Sequence, residues 1–215
     1  GRFATQRLLH QMLRNKCDVA VIETSSEGIK QFRHSGIDYD VAVFTNLTPE
    51  HLESHGGFAR YKKAKMKLFQ ALQDSRPKKL RDKPFPKTII ANIDDEQAPA
   101  FLSFSAEQKI GFRVVDSATT GAPKHLNGVE SFTAVLMASD IHSSTFEIDG
   151  CPITLALPGR FNVYNAAAAV AVAGVFGISL TIARDALQAI HSVPGRVEWI
   201  DEGQRFLALV DYAPE

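Results

Sequence analysis

Two short, almost wholly apolar runs constrain this chain most: Asp18-Val-Ala-Val-Ile-Glu23 and Asp40-Val-Ala-Val-Phe-Thr45. A run of this length without polar alternation fits a strand buried on both faces, and such strands belong to parallel sheets covered by helices. Leu8, Leu9, Met12 and Leu13 share a face at helical spacing ahead of the first run, and residues 26–35 read as helical between the two. A longer helix over about residues 59–72 follows, and Lys87-Thr-Ile-Ile-Ala-Asn92 is a further strand. Residues 76–87, rich in proline and basic side chains, read as a solvated loop. From 129 to 157 the pattern becomes alternating, with a turn signal at Asp149-Gly150, which predicts antiparallel strands. Helical spacing returns over 162–176 and 181–191, and Phe206-Leu-Ala-Leu-Val-Asp211 is a last strand. The expected fold is α/β: a mostly parallel, doubly wound sheet with a small antiparallel β appendage.

The 215 residues, 45% of them hydrophobic, suffice for one large domain with a buried core. Lysine plus arginine equals aspartate plus glutamate at 24 each. No overall field therefore recruits nucleic acid or an anionic membrane, and an anionic ligand has to be held by local groups. Cys17 and Cys151 form neither a CxxC pair nor a zinc spacing, which points to free thiols in a reducing compartment. No stretch approaches the roughly 18 consecutive apolar residues of a membrane span, and no basic-then-apolar leader opens the chain. A cytoplasmic protein is expected. Starting at Gly1 and stopping just after a strand, the chain is expected to be a piece of something longer.

In an open α/β sheet, ligands collect at the carboxyl ends of the strands. Three polar ends follow apolar runs here: Glu23-Thr-Ser-Ser-Glu-Gly28, Thr45-Asn-Leu-Thr-Pro-Glu-His51, and Asp211-Tyr-Ala. Glu23 offers a hard oxygen donor of the kind magnesium takes, or is simply a solvated strand-end carboxylate. His51 falls in what reads as the first turn of a helix, where a histidine also serves as a cap or surface residue. Lys65 lies beside an apolar stripe of Tyr61, Ala64, Leu68 and Phe69 while Lys62, Lys63 and Lys67 fan outward, so a solvated basic face accounts for it equally.

Read together, these segments resemble the Mur ligase family, the enzymes that add amino acids to a UDP-muramoyl precursor, and within it the MurE type. The resemblance is carried by the block from Glu23 to Arg33, by Asp40 to Gly56, by Tyr61-Lys-Lys-Ala-Lys65 and by Leu157-Pro-Gly-Arg-Phe-Asn-Val-Tyr-Asn165. Val193-Pro-Gly-Arg-Val-Glu198 and Val210-Asp-Tyr-Ala213 complete it, and the blocks are collinear from about residue 1 to residue 213.

The resemblance implies a nucleotide-binding central domain over residues 1–211, with 212–215 starting a linker to a further domain. It implies ATP and Mg2+ as cofactors, and a UDP-muramoyl peptide and an amino acid as substrates. Glu23, His51 and Lys65 match the family's magnesium site, with Lys65 at the position of its carbamylated lysine. Carbon dioxide turns that cationic amine into an anionic oxygen donor, which suits a site beside magnesium. Asn162 and Asn165 open a helix, and the second matches the family's adenine contact. Arg196 matches an arginine near the phosphates and Asp211 a ribose-binding aspartate. Ser25, Gln31 and Arg33 match positions lining the muramoyl-peptide side.

Glu27 and Pro214 depart from the MurE pattern, where histidine is usual, and no GxxxxGK[ST] phosphate loop occurs in the chain. Two alternatives stand beside a MurE-type ligase. One is another ligase with the same central domain, such as folylpolyglutamate synthase. The other is a non-catalytic binding module without its phosphate loop.

Overall fold

Apolar runs become strands only where a second backbone is available to pair with them, and this chain distributes that opportunity unevenly. The computed structural model describes residues 2–49, 56–80, 82–118 and 126–212. Helix α1 (Arg2–Arg14) leads through an unpaired segment to α2 (Ser26–Lys30), β1 (Val41–Phe44) and the long α3 (Phe58–Asp74). A hairpin of β2 (Lys78–Leu80) and β3 (Lys83–Phe85) precedes β4 (Thr88–Asn92), α4 (Ala98–Leu102) and β5 (Gln108–Asp116). Then come β6 (Glu130–Ser139), β7 (Ser144–Ile148), β8 (Cys151–Leu155), α5 (Arg160–Val175), α6 (Leu180–Gln188), β9 (Glu198–Ile200) and β10 (Ala208–Val210). The chain divides into two compact units, Gly1–Ala42, Leu47–Ile89 and Ala100–Gln108 in one, and Val43–Asn46, Ile90–Pro99 and Lys109–Glu215 in the other.

One sheet has the order β1, β4, β5, β6, β7, β8. All five residues of β4 are buried, which is why Thr-Ile-Ile-Ala-Asn carries no alternation. Gln108 N donates to Lys87 O and Ile93 N to Phe112 O, bonds that advance together along both chains, so β4 and β5 run parallel. The β5–β6 pair is also parallel, from Ile110 opposite Glu130 to Asp116 opposite Leu136. Beyond β6 the pairing turns antiparallel, through β7 and β8. Asp149 and Gly150, at φ 48° and 76°, make the tight turn between those two, as their positive angles require. The mostly parallel sheet with antiparallel strands at one side is the fold class expected, and those strands extend the main sheet as its appendage.

In the first unit, Phe69, Leu72 and Phe101 form the centre, with Phe69 and Phe101 meeting edge to face at 4.9 Å between centroids. In the second, Phe112, Phe146 and Ile153 are fully covered. The alanine-rich α5 faces β6 and β7, and its buried Ala167 and Ala171 let helix and sheet approach closely.

Four readings of the sequence change. The run from Asp18 to Glu23 forms no strand, and Val19 and Val21 are exposed, since no neighbouring strand pairs with it among the described residues. Residues 76–87 hold the β2–β3 hairpin, whose residues are mostly exposed and therefore show no hydrophobic alternation. The helix expected over 26–35 ends at Lys30 and continues as turns. The final strand is three residues long and pairs only with β9, in a separate two-stranded sheet. Strand β5 and helix α4 went unpredicted. Both cysteines are free, and among the described residues no helix is long and apolar enough to cross a membrane.

Candidate functional site

Three carboxyl strand ends of the second unit meet the start of α5. At the end of β4, the Asn92 side chain donates to Thr45 O at 3.0 Å just beyond β1, and its own Oδ1 accepts from Asp94 N at 3.0 Å. Asp94 Oδ2 then accepts two hydrogen bonds, from Val114 N on β5 at 2.8 Å and from the Tyr164 hydroxyl on α5 at 2.9 Å. Arg113 lies 3.6 Å from the other Asp94 oxygen. Arg160, the first residue of α5, bonds Asp116 at 2.6 Å at the end of β5, donates to the Val114 carbonyl and lies over the Tyr164 ring. Gly159 N reaches Ser139 Oγ at 3.2 Å at the end of β6. Burial, and then the bond to Asp94, push the Tyr164 phenol above its usual range, so it remains a proton donor to that carboxylate. None of Asp94, Asp116, Arg160 and Tyr164 was singled out as functional from sequence. The available cue was Asn92-Ile-Asp-Asp95, polar residues directly after an apolar run.

This arrangement holds the two asparagines of the helix start. Asn162 is buried and donates through Nδ2 to Pro158 O at 2.8 Å, while its Oδ1 accepts from Asn165 Nδ2 at 3.4 Å. Asn165 itself is exposed. The short relay orients both amides.

Arg196 and Asp211 also come together in the second unit, around the β9–β10 pair. Asp211 Oδ1 accepts from Val197 N at 3.2 Å, and Arg196 donates to Tyr212 O at 2.6 Å with its guanidinium 5.7 Å from the Tyr212 ring centroid. Tyr212 N in turn donates to Gly195 O at 2.7 Å. Both side chains are exposed, so each can reach a ligand beside its backbone partner.

In the first unit, Ser25 caps α2, its Oγ accepting from Gly28 N at 3.1 Å. Arg33 and Gln31 pair through two bonds to one amide oxygen, at 2.7 and 3.1 Å. A Cβ on Gly28 would stand 3.3 Å from Ser25 Oγ and 3.4 Å from Arg33 Cδ, which puts Ser25, Gln31 and Arg33 in one neighbourhood. Glu23 is exposed just ahead of them. Lys65 is half-buried on α3, its Nζ 5.1 Å from the Tyr61 ring centroid, and the stripe of Tyr61, Ala64 and Phe69 is buried as its spacing predicts. His51 lies outside the described residues, and among those described no group of three or more His, Cys, Asp or Glu is set to hold a metal. An exposed carboxylate and an amine that carbon dioxide can convert to a carbamate nonetheless suit magnesium in donor chemistry.

Residues 2–173 match the family model described as the Mur ligase middle domain. The chain is 34% identical over 208 residues to a UDP-N-acetylmuramoyl-L-alanyl-D-glutamate--2,6-diaminopimelate ligase of Geobacillus thermodenitrificans, covering 97% of this chain and 40% of that protein. It is 35% identical over 223 residues to a UDP-N-acetylmuramyl-tripeptide synthetase of Treponema denticola, covering 97% of this chain and 39% of the relative. In fold it is similar to the crystal structure of MurF from Acinetobacter baumannii, with a TM-score of 0.59 and 18% identity over 84% of this chain and 35% of that one. The chain thus spans about 40% of the length of the curated relatives it matches. With a middle-domain match over most of its length and relatives above 30% identity along nearly all of it, this chain belongs to the Mur ligase family.

Proposed function

We propose that residues 1–211 are the central ATP-binding domain of a ligase that joins an amino acid to UDP-N-acetylmuramoyl-dipeptide in peptidoglycan synthesis, and that residues 212–215 lead into its next domain. The observation that carries this reading is the 34% identity along 97% of the chain to a diaminopimelate-adding ligase. The setting is the cytoplasm, where ATP and nucleotide-linked precursors are available.

In the proposed reaction a substrate carboxylate oxygen attacks the γ-phosphorus of ATP, the bond to ADP breaks, and an acyl phosphate forms. The incoming amine then attacks the acyl carbon, phosphate leaves, and the nitrogen gives up a proton. Both nucleophiles are substrates, so the chain needs no covalent serine or cysteine. Its part is to position groups and stabilise charge. Asn165, one turn into α5, receives the adenine, and Asp211, just beyond β10, the ribose. The exposed Arg196 fork is suited to phosphate oxygens. Glu23, His51 and carbamylated Lys65 would hold magnesium, which when bound offsets negative charge on the phosphoryl oxygens. Ser25, Gln31 and Arg33 face the muramoyl peptide, where the Arg33–Gln31 pair offers a cation to its carboxylates.

The test is made on the full-length protein that carries this chain. Incubation with ATP, magnesium, UDP-N-acetylmuramoyl-L-alanyl-D-glutamate and either diaminopimelate or lysine is expected to release ADP and give the tripeptide product by mass. ADP release that depends on a different muramoyl acceptor, or on no amino acid, overturns the reading.

A further inference from the structure

The start of α5 is an unusual place for precision, because its N-cap Gly159 offers no side chain to hold the first turn. What holds it comes from outside the helix. Val114, near the end of β5, is gripped from two sides: its N–H donates to Asp94 and its carbonyl accepts from Arg160. Asp94 receives the Tyr164 hydroxyl, Arg160 bonds Asp116, and the Arg160 guanidinium lies 5.8 Å from the Tyr164 ring centroid. Arg160 and Tyr164 are one helical turn apart, so together they fix both the height and the rotation of that turn. The next residue is Asn165, whose amide is already oriented by Asn162 and, through it, by Pro158 O. With its Nδ2 tied to Asn162, Asn165 keeps Oδ1 as the acceptor for an exocyclic amine. Adenine carries that amine at its six-position, whereas guanine carries a carbonyl there.

We propose that Asp94, Tyr164 and Arg160 are positioning residues that set the Asn165 amide for adenine, and so govern nucleotide affinity and the choice of ATP over GTP. The proposal rests on the nucleotide-binding reading above. Beyond that turn α5 is held by buried Ala167, Ala168 and Ala171, so loosening the clamp disturbs the first turn without releasing the helix.

The experiment compares Tyr164→Phe, Asp94→Asn and Asn165→Ala in the full-length ligase, with wild type as reference. Tyr164→Phe keeps the ring beneath Arg160 and removes only the hydroxyl. It is expected to raise KM for ATP about ten-fold, the scale of one lost hydrogen bond to a charged acceptor, with kcat changed less than about two-fold. The ATP-over-GTP preference falls with it, while KM for the muramoyl substrate stays at the wild-type value. Asp94→Asn still accepts the hydroxyl bond and is expected to lie between wild type and Tyr164→Phe, and a variant carrying both Tyr164→Phe and Asp94→Asn to fall short of the sum of the two single effects. If Tyr164→Phe and Asp94→Asn lower the melting temperature while KM for ATP and nucleotide preference hold, the clamp is only structural and the proposal fails. If Asn165→Ala raises KM for ATP but neither clamp variant does, the nucleotide reading stands and the clamp alone is wrong. If Asn165→Ala also leaves KM for ATP unchanged, both are overturned.

Discussion

The Lys65 amine lies 5.1 Å from the Tyr61 ring centroid on a helix whose Lys63 and Lys67 are exposed. Under the proposed function this is the amine that takes up carbon dioxide to become a carbamate oxygen donor. In the full-length ligase, Lys65→Ala is expected to lower kcat by about a hundred-fold or more, the scale of removing one charge-stabilising group, and added short carboxylic acids to restore part of it. Steady-state rates with and without formate or acetate check this; wild-type activity in Lys65→Ala would mean an ordinary helix lysine. His34 is the residue for pH. Burial, and then the nearby Lys67 charge, hold its imidazole below the ordinary 6.5. The unfolded chain therefore binds the proton more readily than the folded one. Stability is fully present above 6.5 and is lost as pH falls from there through the lowered native value. Urea unfolding between pH 8 and pH 5 should show that loss in wild type and a flatter profile in His34→Gln. The Asp38 carboxyl, held low first by its side-chain bond to Arg76, gives up its share only in stronger acid and leaves the window to His34.

At the scale of elements, the turn into α5 depends on one glycine. Gly159 has φ 90° and ψ 143°, a region almost closed to other residues, and a Cβ there would lie 2.6 Å from the Phe161 ring. Gly159→Ala is expected to cost about 1–3 kcal/mol, read as a lower urea midpoint with an unchanged slope. Leu157-Pro-Gly marked this boundary in the sequence, since proline and glycine announce a turn by their own backbone limits. The β2–β3 hairpin could not be seen in the same way. Its lysines and prolines look like loop residues, and the pairing of the two strands with each other, together with ion pairs such as Lys78 with Asp40 at 2.8 Å, is a tertiary property that their types do not announce. Strand β5 was missed because Gly111 and Arg113 interrupt its apolar run; Gly111 is required where a Cβ would meet Ile93 at 2.7 Å, and Arg113 is drawn inward by Asp94.

For the whole molecule, charge balance and motif content give one expectation about ligand affinity. These 215 residues carry no net charge and no GxxxxGK[ST] loop, so under the proposed function the adenine and ribose contacts would supply most of the grip. Losing several charge-assisted bonds to a triphosphate, each about 1.5–3 kcal/mol, weakens affinity by several orders of magnitude. Calorimetric titration of the 215-residue chain with magnesium-ATP is expected to give weak binding at best, and micromolar affinity would refute this. The sequence by itself determined the α/β class, the order of most elements and the collinear blocks that mark the family, because apolar spacing, turn residues and motifs are local properties of a chain. Tertiary structure decided what depends on a distant partner. Asp18 to Glu23 is as apolar as β1 yet pairs with no strand among the described residues, and β6 pairs in parallel with β5 but antiparallel with β7. Asp94 meets Tyr164 across 70 positions. A hydrogen bond needs a second group within reach, and which group arrives is set by how the chain crosses itself, not by the residues on either side of it.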